Sequence, residues 1–226
     1  MTASRQSLRL TLCWVLLACL MFLGLGRGLW TPDEPREAEI GREMLGHPGF
    51  VPHLNGKPFF EKPPLYYWAV AGSYAVAGVS NASARAVSAL AGLATLFLLF
   101  LWARRAASDR AAFLAVFMLA TSLQFFQSTH WVLLDPLLMF FMTLTFWGAW
   151  ERLTGDTGWW SLAALYGGIC LGVWTKGLIG LALPVAGLLT GGREWFEVGR
   201  FLGPNISGHY RRYPVSWTVE AWRRAG

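Results

Sequence analysis

Ionisable side chains stand at the ends of the long apolar runs of this sequence, and where such residues converge on one side of a membrane they indicate a functional site. The first two, Asp33 and Glu34, come a few residues after an uncharged run long enough to cross a membrane. The next two, Glu61 and Lys62, lie between aromatic residues and prolines in FFEKPPLYYW, residues 59–68. Carboxylates and lysines at a water–lipid boundary suit proton transfer and phosphate binding on a lipid-borne substrate.

Asp33 and Glu34 have both a structural and a catalytic interpretation. The segment Thr31-Pro32-Asp33-Glu34 has the pattern of a capping box with proline at the first helical position, so Glu34 could simply cap a helix. An acidic Asp33 in the first turn would also complement the helix dipole. In the catalytic interpretation, Asp33 is a general base that accepts the proton of an acceptor hydroxyl. The two roles are compatible, and the residues alone leave both open.

Glu61 and Lys62 are equally open to two interpretations. They could form an ordinary ion pair at a turn, since the prolines that follow restrict the chain to an extended conformation. Alternatively, Lys62 binds a phosphate as a point charge and Glu61 ligates a divalent cation.

Asp135 and Lys176 mark the ends of two further apolar runs. Asp135 precedes a proline and could cap a helix start, and Lys176 precedes a glycine and could be an interfacial lysine beside a helix break. The functional alternative places both in the same site as the earlier acids and lysine.

Uncharged runs define the architecture. Soluble domains carry about 25% charged residues, whereas this chain of 226 residues is 54% hydrophobic and 14% charged. A spanning helix needs about 20 residues. Six runs come near that length, bounded by Arg9 and Arg27, Arg85 and Arg104, Arg110 and Asp135, Asp135 and Glu151, Asp156 and Lys176, and Lys176 and Arg193. The sequence predicts an all-α, polytopic transmembrane protein.

The domain boundary falls where the spanning runs end. Residues 1–190 form the predicted transmembrane domain, and residues 191–226 form a polar, aromatic tail that suits a membrane surface, or a truncated or frameshifted end. The net charge of +6 does not indicate nucleic-acid binding, because the lysines and arginines lie between apolar runs and form no single stripe.

Orientation follows from the basic residues. Arg5 and Arg9 precede the first run and predict a cytoplasmic N-terminus, which places the loop 27–64 outside. The apolar stretch 63–79 is predicted to lie on the membrane as an interfacial helix, with another near 33–46. If the stretch 63–79 crossed the membrane, the arginines near residue 105 would lie outside, against the positive-inside rule. The loop and the turns at Asp135 and Lys176 then share one outer face.

Five motifs in this order resemble a known family: LWTPDEPREAEIGREML (29–45), FFEKPPLYYW (59–68), Ala84-Arg85-Ala86, LLDP (133–136) and TKG (175–177). Over about residues 8–190 the chain resembles the bacterial aminoarabinose transferases of lipid A. It also resembles the wider group related to protein O-mannosyltransferases. These are GT-C type integral-membrane glycosyltransferases, and the resemblance implies a polyprenyl-phosphate-linked sugar as donor.

The resemblance also implies roles for individual residues. Asp33 and Asp135 match catalytic acids, and Glu61 matches a residue near a divalent metal cation. Residues that match substrate-binding positions are Glu34, Arg36, Lys62, Arg85 and Lys176. The implied reaction is an inverting transfer to a lipid (lipid A-like) or protein acceptor, at the periplasmic face of a bacterial inner membrane. The alternative is a non-catalytic membrane protein or an inactive, truncated remnant of such an enzyme.

Two departures from the aminoarabinose transferases bear on the sugar and the acceptor. This chain has Pro35-Arg36-Glu37 where those transferases have threonine, arginine and tyrosine. It also has the aromatic stretch Leu65-Tyr66-Tyr67-Trp68 where theirs is smaller and less aromatic.

Overall fold

The computed structural model of the protein describes residues 2–30, 33–155 and 158–190, with side chains from residue 12 onward. Its helices and strands, in chain order, are α1 (Thr2–Phe22), α2 (Asp33–Gly46), β1 (His53–Leu54), β2 (Lys57–Pro58), α3 (Leu65–Ala77), α4 (Asn81–Ala106), α5 (Asp109–Ala120), α6 (Leu123–Thr129), α7 (Asp135–Leu153), α8 (Trp159–Lys176) and α9 (Ile179–Thr190). The predicted tail, residues 191–226, lies outside the described residues.

Helices make up most of the described chain, as the all-α prediction requires. The strands are a two-residue antiparallel hairpin in which His53 pairs with Pro58 and Leu54 with Lys57. Asn55 and Gly56 form its turn with φ of 54° and 72°, the left-handed conformation that an Asn-Gly hairpin turn needs. The hairpin lies in the loop between α2 and α3, so it does not change the fold class.

Among the residues that the structure describes, fewer helices are long and apolar enough to cross a membrane than the six predicted spans. By length and composition, α4 can cross a membrane within the described part, and α5 with α6 adds a second span if that bent pair counts as one. Shorter apolar segments occur at Leu12–Phe22 and Ile179–Thr190. The membrane-spanning character of the remaining runs stays a prediction.

The third predicted run, between Arg110 and Asp135, is broken. The axes of α5 and α6 differ by 68°. The break has a local cause, because the Ser122 hydroxyl accepts a hydrogen bond from the Phe125 N–H and so starts a new helix. The run therefore forms two helices, and the chain turns sharply in its middle.

The helices α7 and α8 form a close antiparallel pair. A Cβ added at Gly148 would lie 2.5 Å from the Leu165 nitrogen, and one at Gly168 would lie 2.7 Å from the Phe141 carbonyl oxygen. Small residues permit such close approach between apolar helices. Because the two helices run in opposite directions, the end of α8 lies beside the start of α7.

A buried core joins α2, α3 and the segment before α7. Ile40, Tyr66, Tyr67, Val70 and Val132 are each fully buried in it. At the start of α4, the Ser80 hydroxyl accepts from the Ser83 N–H while the Ser83 hydroxyl accepts from the Ser80 N–H, a capping box that fixes where α4 begins. This core positions the polar residues described next.

Candidate functional site

A fully buried ion pair lies at the base of the site. Arg85 in α4 and Glu34 in α2 are both 0% exposed. The Arg85 Nε donates to Glu34 Oε1 at 2.8 Å and its Nη2 to Oε2 at 2.9 Å, a bidentate arrangement. Burial by itself raises the pKa of Glu34. Hydrogen bonds from Arg85 and from two backbone N–H groups outweigh that effect, so the pKa lies below its usual value and the carboxylate is ionised.

The same pair connects three separate segments of backbone. Arg85 donates to the carbonyl oxygens of Leu25, Arg27 and Gly28 at 2.6, 2.5 and 2.9 Å. The Glu34 carboxylate accepts from the Trp30 N–H at 2.7 Å and from the Val132 N–H at 3.0 Å. The pair therefore holds the end of the first apolar segment, the start of α2 and the approach to α7 together. Its geometry gives both residues a positioning role.

A second buried carboxylate, Glu37, accepts hydrogen bonds from three side chains of the site. One oxygen, Oε1, accepts from the Lys62 ammonium at 2.5 Å and from Arg36 Nη2 at 3.0 Å. The other oxygen accepts from the Tyr67 hydroxyl at 2.6 Å. Burial and the nearby Glu37 charge raise the pKa of Tyr67, so its hydroxyl keeps the proton that it donates. An ion pair with the adjacent Glu61 was one of the two interpretations of Lys62, but Lys62 bonds instead to Glu37, an acid one turn along α2 from Asp33.

Asp33 lies at the open side of this network. Its Oδ1 is 2.8 Å from Arg36 Nη2, and its side chain is 55% exposed, whereas that of Glu37 is 1% exposed. The hydrogen bond to Glu37 raises the pKa of Arg36, with the charge of Asp33 as a smaller cause. Asp33 is the accessible carboxylate of the network. It is oriented by the Arg36 guanidinium, which is itself held by the buried Glu37.

Asp135 and Lys176 form a contact of their own. The Lys176 ammonium donates to Asp135 Oδ1, joining the end of α8 to the start of α7. The side chain of Asp135 is half-exposed and that of Lys176 is 29% exposed. The two residues lie 41 positions apart in the sequence, and the antiparallel packing of their helices brings them together.

Aromatic rings connect this pair to the loop that carries Lys62. The ring centroids of Trp68 in α3 and Trp174 in α8 are 5.6 Å apart. Phe50 lies edge-on to both rings, at 5.5 and 6.3 Å. The indole nitrogen of Trp68 donates to the Gly49 carbonyl at 2.8 Å, which fixes the position of the loop. Of the predicted residues, Lys62 and Lys176 thus lie on elements in direct contact.

The predicted metal ligand, Glu61, lies near Arg36 and contributes to the raised pKa of that guanidinium. Among the residues that the structure describes, no three His, Cys, Asp or Glu side chains gather as a metal site. The described residues alone therefore do not complete a cation site at Glu61.

An open cavity of about 520 Å³ adjoins the buried pair. Its lining residues are Arg27, Gly28, Leu29, Trp30 and Trp131. Gly28 accepts a hydrogen bond from Arg85 and Trp30 donates one to Glu34, so the buried pair fixes the cavity wall. The indole of Trp30 is 72% exposed. The lining thus combines a cation, Arg27, with two aromatic residues, and one of these, Trp30, lies three residues before Asp33.

The site residues predicted from the sequence were the ionisable residues of five motifs, and the structure gathers most of them into the Glu37 network and the Asp135–Lys176 pair. Glu37 and Tyr67 also belong to the site but were not predicted. The signal was weak, because Glu37 is one of several charges on α2 and Tyr67 one of several aromatics in its stretch. Their importance depends on a contact across 30 residues.

Known proteins resemble this chain in sequence. It is 36% identical over 188 residues to the undecaprenyl phosphate-alpha-4-amino-4-deoxy-L-arabinose arabinosyl transferase of Edwardsiella ictaluri, covering 78% of this chain and 34% of that relative. The protein of the same name from Pectobacterium carotovorum is 38% identical over 198 residues, covering 80% and 34%. The chain thus spans about a third of the length of these relatives.

Solved structures give the same result for the fold. ArnT from Cupriavidus metallidurans bound to undecaprenyl phosphate matches with a TM-score of 0.70 and 26% identity, over 88% of this chain and 40% of that one. Its apo state matches with a TM-score of 0.72 and 27% identity, over 91% and 41%. The model of one protein family matches residues 6–210, more than half of the sequence. Because this model covers most of the sequence, the chain belongs to the dolichyl-phosphate-mannose-protein mannosyltransferase family.

Proposed function

We propose that this chain carries the site of a glycosyltransferase that moves a sugar from a polyprenyl-phosphate donor to a lipid or protein acceptor. The observation that carries the proposal is the network in which Glu37 gathers Arg36, Lys62 and, through Arg36, the accessible Asp33. A general base beside two cations is what such a displacement needs. The relatives named for an undecaprenyl-phosphate sugar support the donor class.

The proposed step is a single displacement. Asp33 accepts the proton of the acceptor hydroxyl as that oxygen bonds to the anomeric carbon. The bond from this carbon to the phosphate oxygen breaks, and the polyprenyl phosphate leaves with the electron pair. Lys62 and Lys176 stabilise the charge that develops on the leaving phosphate. One displacement inverts the anomeric centre.

The other predicted residues support this step in different ways. Asp135 orients Lys176 through their direct contact. Glu34 and Arg85 shape the loop that carries Asp33, and substrate contact by these two residues stays a prediction. The divalent cation at Glu61 also stays a prediction, and it would need ligands besides those gathered in the described residues.

We place the site at the outer face of a bacterial inner membrane, in a multi-pass domain of residues 1–190. Two observations support this arrangement. The helix α3 has 13 residues, or about 20 Å at 1.5 Å per residue, too short for a hydrocarbon core of about 30 Å. It therefore suits an interfacial position. The helix α4 ends with Arg104 and Arg105 in its last turn, as expected at a cytoplasmic boundary.

Topology gives the first prediction. We expect a cysteine at position 47 to react with an impermeant thiol reagent in intact cells, and a cysteine at position 107 to react only after the cells are opened. The background is a variant in which Cys13, Cys19 and Cys170 are replaced by serine, since all three are exposed thiols. Labelling at 107 and protection at 47 in intact cells would reverse the proposed orientation.

The two lysines give the second prediction. We expect Lys62→Ala and Lys176→Ala each to weaken binding of a labelled polyprenyl-phosphate sugar at least about 10-fold, the effect of one hydrogen bond to a charged group. If both lysines bind one phosphate, the double variant should lose less than the sum of the two single losses. Equilibrium binding to the four proteins in membranes measures the coupling.

Lys57→Ala is the matched control, because Lys57 lies on the exposed hairpin of the same loop. Its binding should stay within about twofold of wild type, as for a surface substitution. Strict additivity of the two site lysines, or wild-type binding in either single variant, would refute a shared phosphate.

A further inference from the structure

Glu37 stands out among the buried charged groups because the proposed displacement does not use it. Its carboxylate is 1% exposed and so cannot reach a substrate in this conformation. It nevertheless accepts hydrogen bonds from a lysine, an arginine and a tyrosine. A carboxylate has room for all three, with about four lone-pair sites on its two oxygens.

The partners of Glu37 differ in how many hydrogen-bond donors they keep available for a substrate. Tyr67 is fully buried and gives its one proton to Glu37. Lys62 has three donors, and among the described residues one of them is used, by Glu37. Its side chain is about a quarter exposed. Two N–H groups of a fixed ammonium therefore stay available at the edge of the site.

We propose that Glu37 is a positioning residue for the donor phosphate. It holds the Lys62 ammonium in place so that the two remaining N–H groups of Lys62 can bind oxygen atoms of the leaving phosphate. The inference rests on the proposed function and adds a residue that acts through Lys62. A lysine side chain is flexible, and anchoring one of its donors removes most of that freedom before the substrate arrives. Tyr67 in turn fixes Glu37.

A charge is needed at this position as well as a hydrogen-bond acceptor. Arg36 and Lys62 both bond to the same oxygen of Glu37, so two cations lie within a few ångströms of each other. A neutral acceptor would leave them to repel one another in a partly buried setting. Glu37→Gln keeps the size of the side chain and removes this charge, and we expect Lys62 to move away from its anchored position.

The chemical reactivity of Lys62 tests the inference directly. The sequence has three lysines, Lys57, Lys62 and Lys176, and each can be followed by mass spectrometry after brief treatment with an amine-acylating reagent. In Glu37→Gln we expect Lys62 to be acylated at least about fivefold faster than in wild type, with Lys57 and Lys176 unchanged. The Lys62 side chain is about a quarter exposed while it is held by Glu37, so its release into solvent raises the rate.

Glu39→Gln is the matched control, because Glu39 is another carboxylate of α2 that pairs with an arginine but does not touch Lys62. If Lys62 reacts no faster in Glu37→Gln than in Glu39→Gln, the inference is wrong. If all three lysines react faster in Glu37→Gln, that variant has lost its fold, and the acylation rates in Glu37→Asp test the inference instead. Aspartate keeps the charge but is one methylene too short to hold the Lys62 ammonium in the same place. Lys62 alone should then be acylated faster in Glu37→Asp, and an unchanged Lys62 rate overturns the proposal.

A second arm separates this inference from the proposed function. Undecaprenyl phosphate should slow the acylation of Lys62 in the wild-type protein, because the phosphate occupies the remaining donors. Absence of that protection would count against the phosphate-binding role of Lys62. It would leave the acylation comparison between Glu37→Gln and Glu39→Gln intact as a test of the anchor itself.

Discussion

Asp33→Asn is expected to reduce sugar transfer at least about 100-fold, the lower range for loss of a general base. Asparagine has the size of aspartate and can still cap a helix, but it cannot accept the proton of the acceptor hydroxyl. The expected loss is in kcat, because Asp33 lies at the open side of the network and does not hold the donor phosphate. The initial rate of transfer from a labelled polyprenyl-phosphate sugar, in membranes with matched protein content, measures the effect.

Asp109→Asn provides a close structural control for this substitution. Asp109 is also in the first turn of its helix, is half-exposed and pairs with an arginine at 2.7 Å. It lies at the opposite, cytoplasmic side in the proposed topology. We expect a transfer rate within about twofold of wild type, as for an exposed ion pair. Near wild-type turnover in Asp33→Asn would return Asp33 to a purely capping role.

Arg85→Met is expected to lower the free energy of unfolding by about 3–5 kcal/mol, as when one partner of a buried ion pair is removed. The substitution leaves the Glu34 carboxylate buried and uncompensated. It also leaves the carbonyl oxygens of Leu25, Arg27 and Gly28 without the donor that they share. Unfolding of the detergent-solubilised protein, followed by helical circular dichroism, measures the loss.

Arg42→Met is the matched control, since Arg42 pairs with Glu39 on the exposed surface of α2. Exposed pairs of this kind contribute much less than buried ones, so Arg42→Met should unfold close to wild type. The double variant Arg85→Met with Glu34→Leu should recover part of the loss, because it removes the uncompensated charge. Equal stabilities of Arg85→Met and Arg42→Met would show that the buried pair does not hold the three segments together.

Local sequence signals predicted the elements that depend on neighbouring residues. The helix predicted near 33–46 begins and ends at Asp33 and Gly46, because acidic residues at its start and glycine at its end are local signals. The stretch 63–79 likewise contains α3, starting after two prolines. Composition also indicated a mostly helical protein, because apolar runs between charged residues can be identified without knowing any long-range contact.

Contacts between distant segments were beyond such signals. Nothing in the sequence near Lys62 indicates that its partner is Glu37, 25 residues earlier, instead of the adjacent Glu61. The bend between α5 and α6 also escaped prediction, because Ser122 inside an apolar run gives only a weak capping signal. The sequence predicted that Asp135 and Lys176 lie on the same outer face of the membrane. Their direct contact depends on the close packing of α7 and α8.

A single-turnover assay would show directly whether this site transfers a sugar. Membranes containing the protein would be mixed with a polyprenyl-phosphate sugar labelled in the sugar, and the label followed into the lipid, protein and water-soluble fractions. We expect one labelled sugar per active site in the lipid or protein fraction, with an equal amount of polyprenyl phosphate released and an inverted anomeric configuration in the product. Release of polyprenyl phosphate no faster than from membranes containing Asp33→Asn would contradict this expectation.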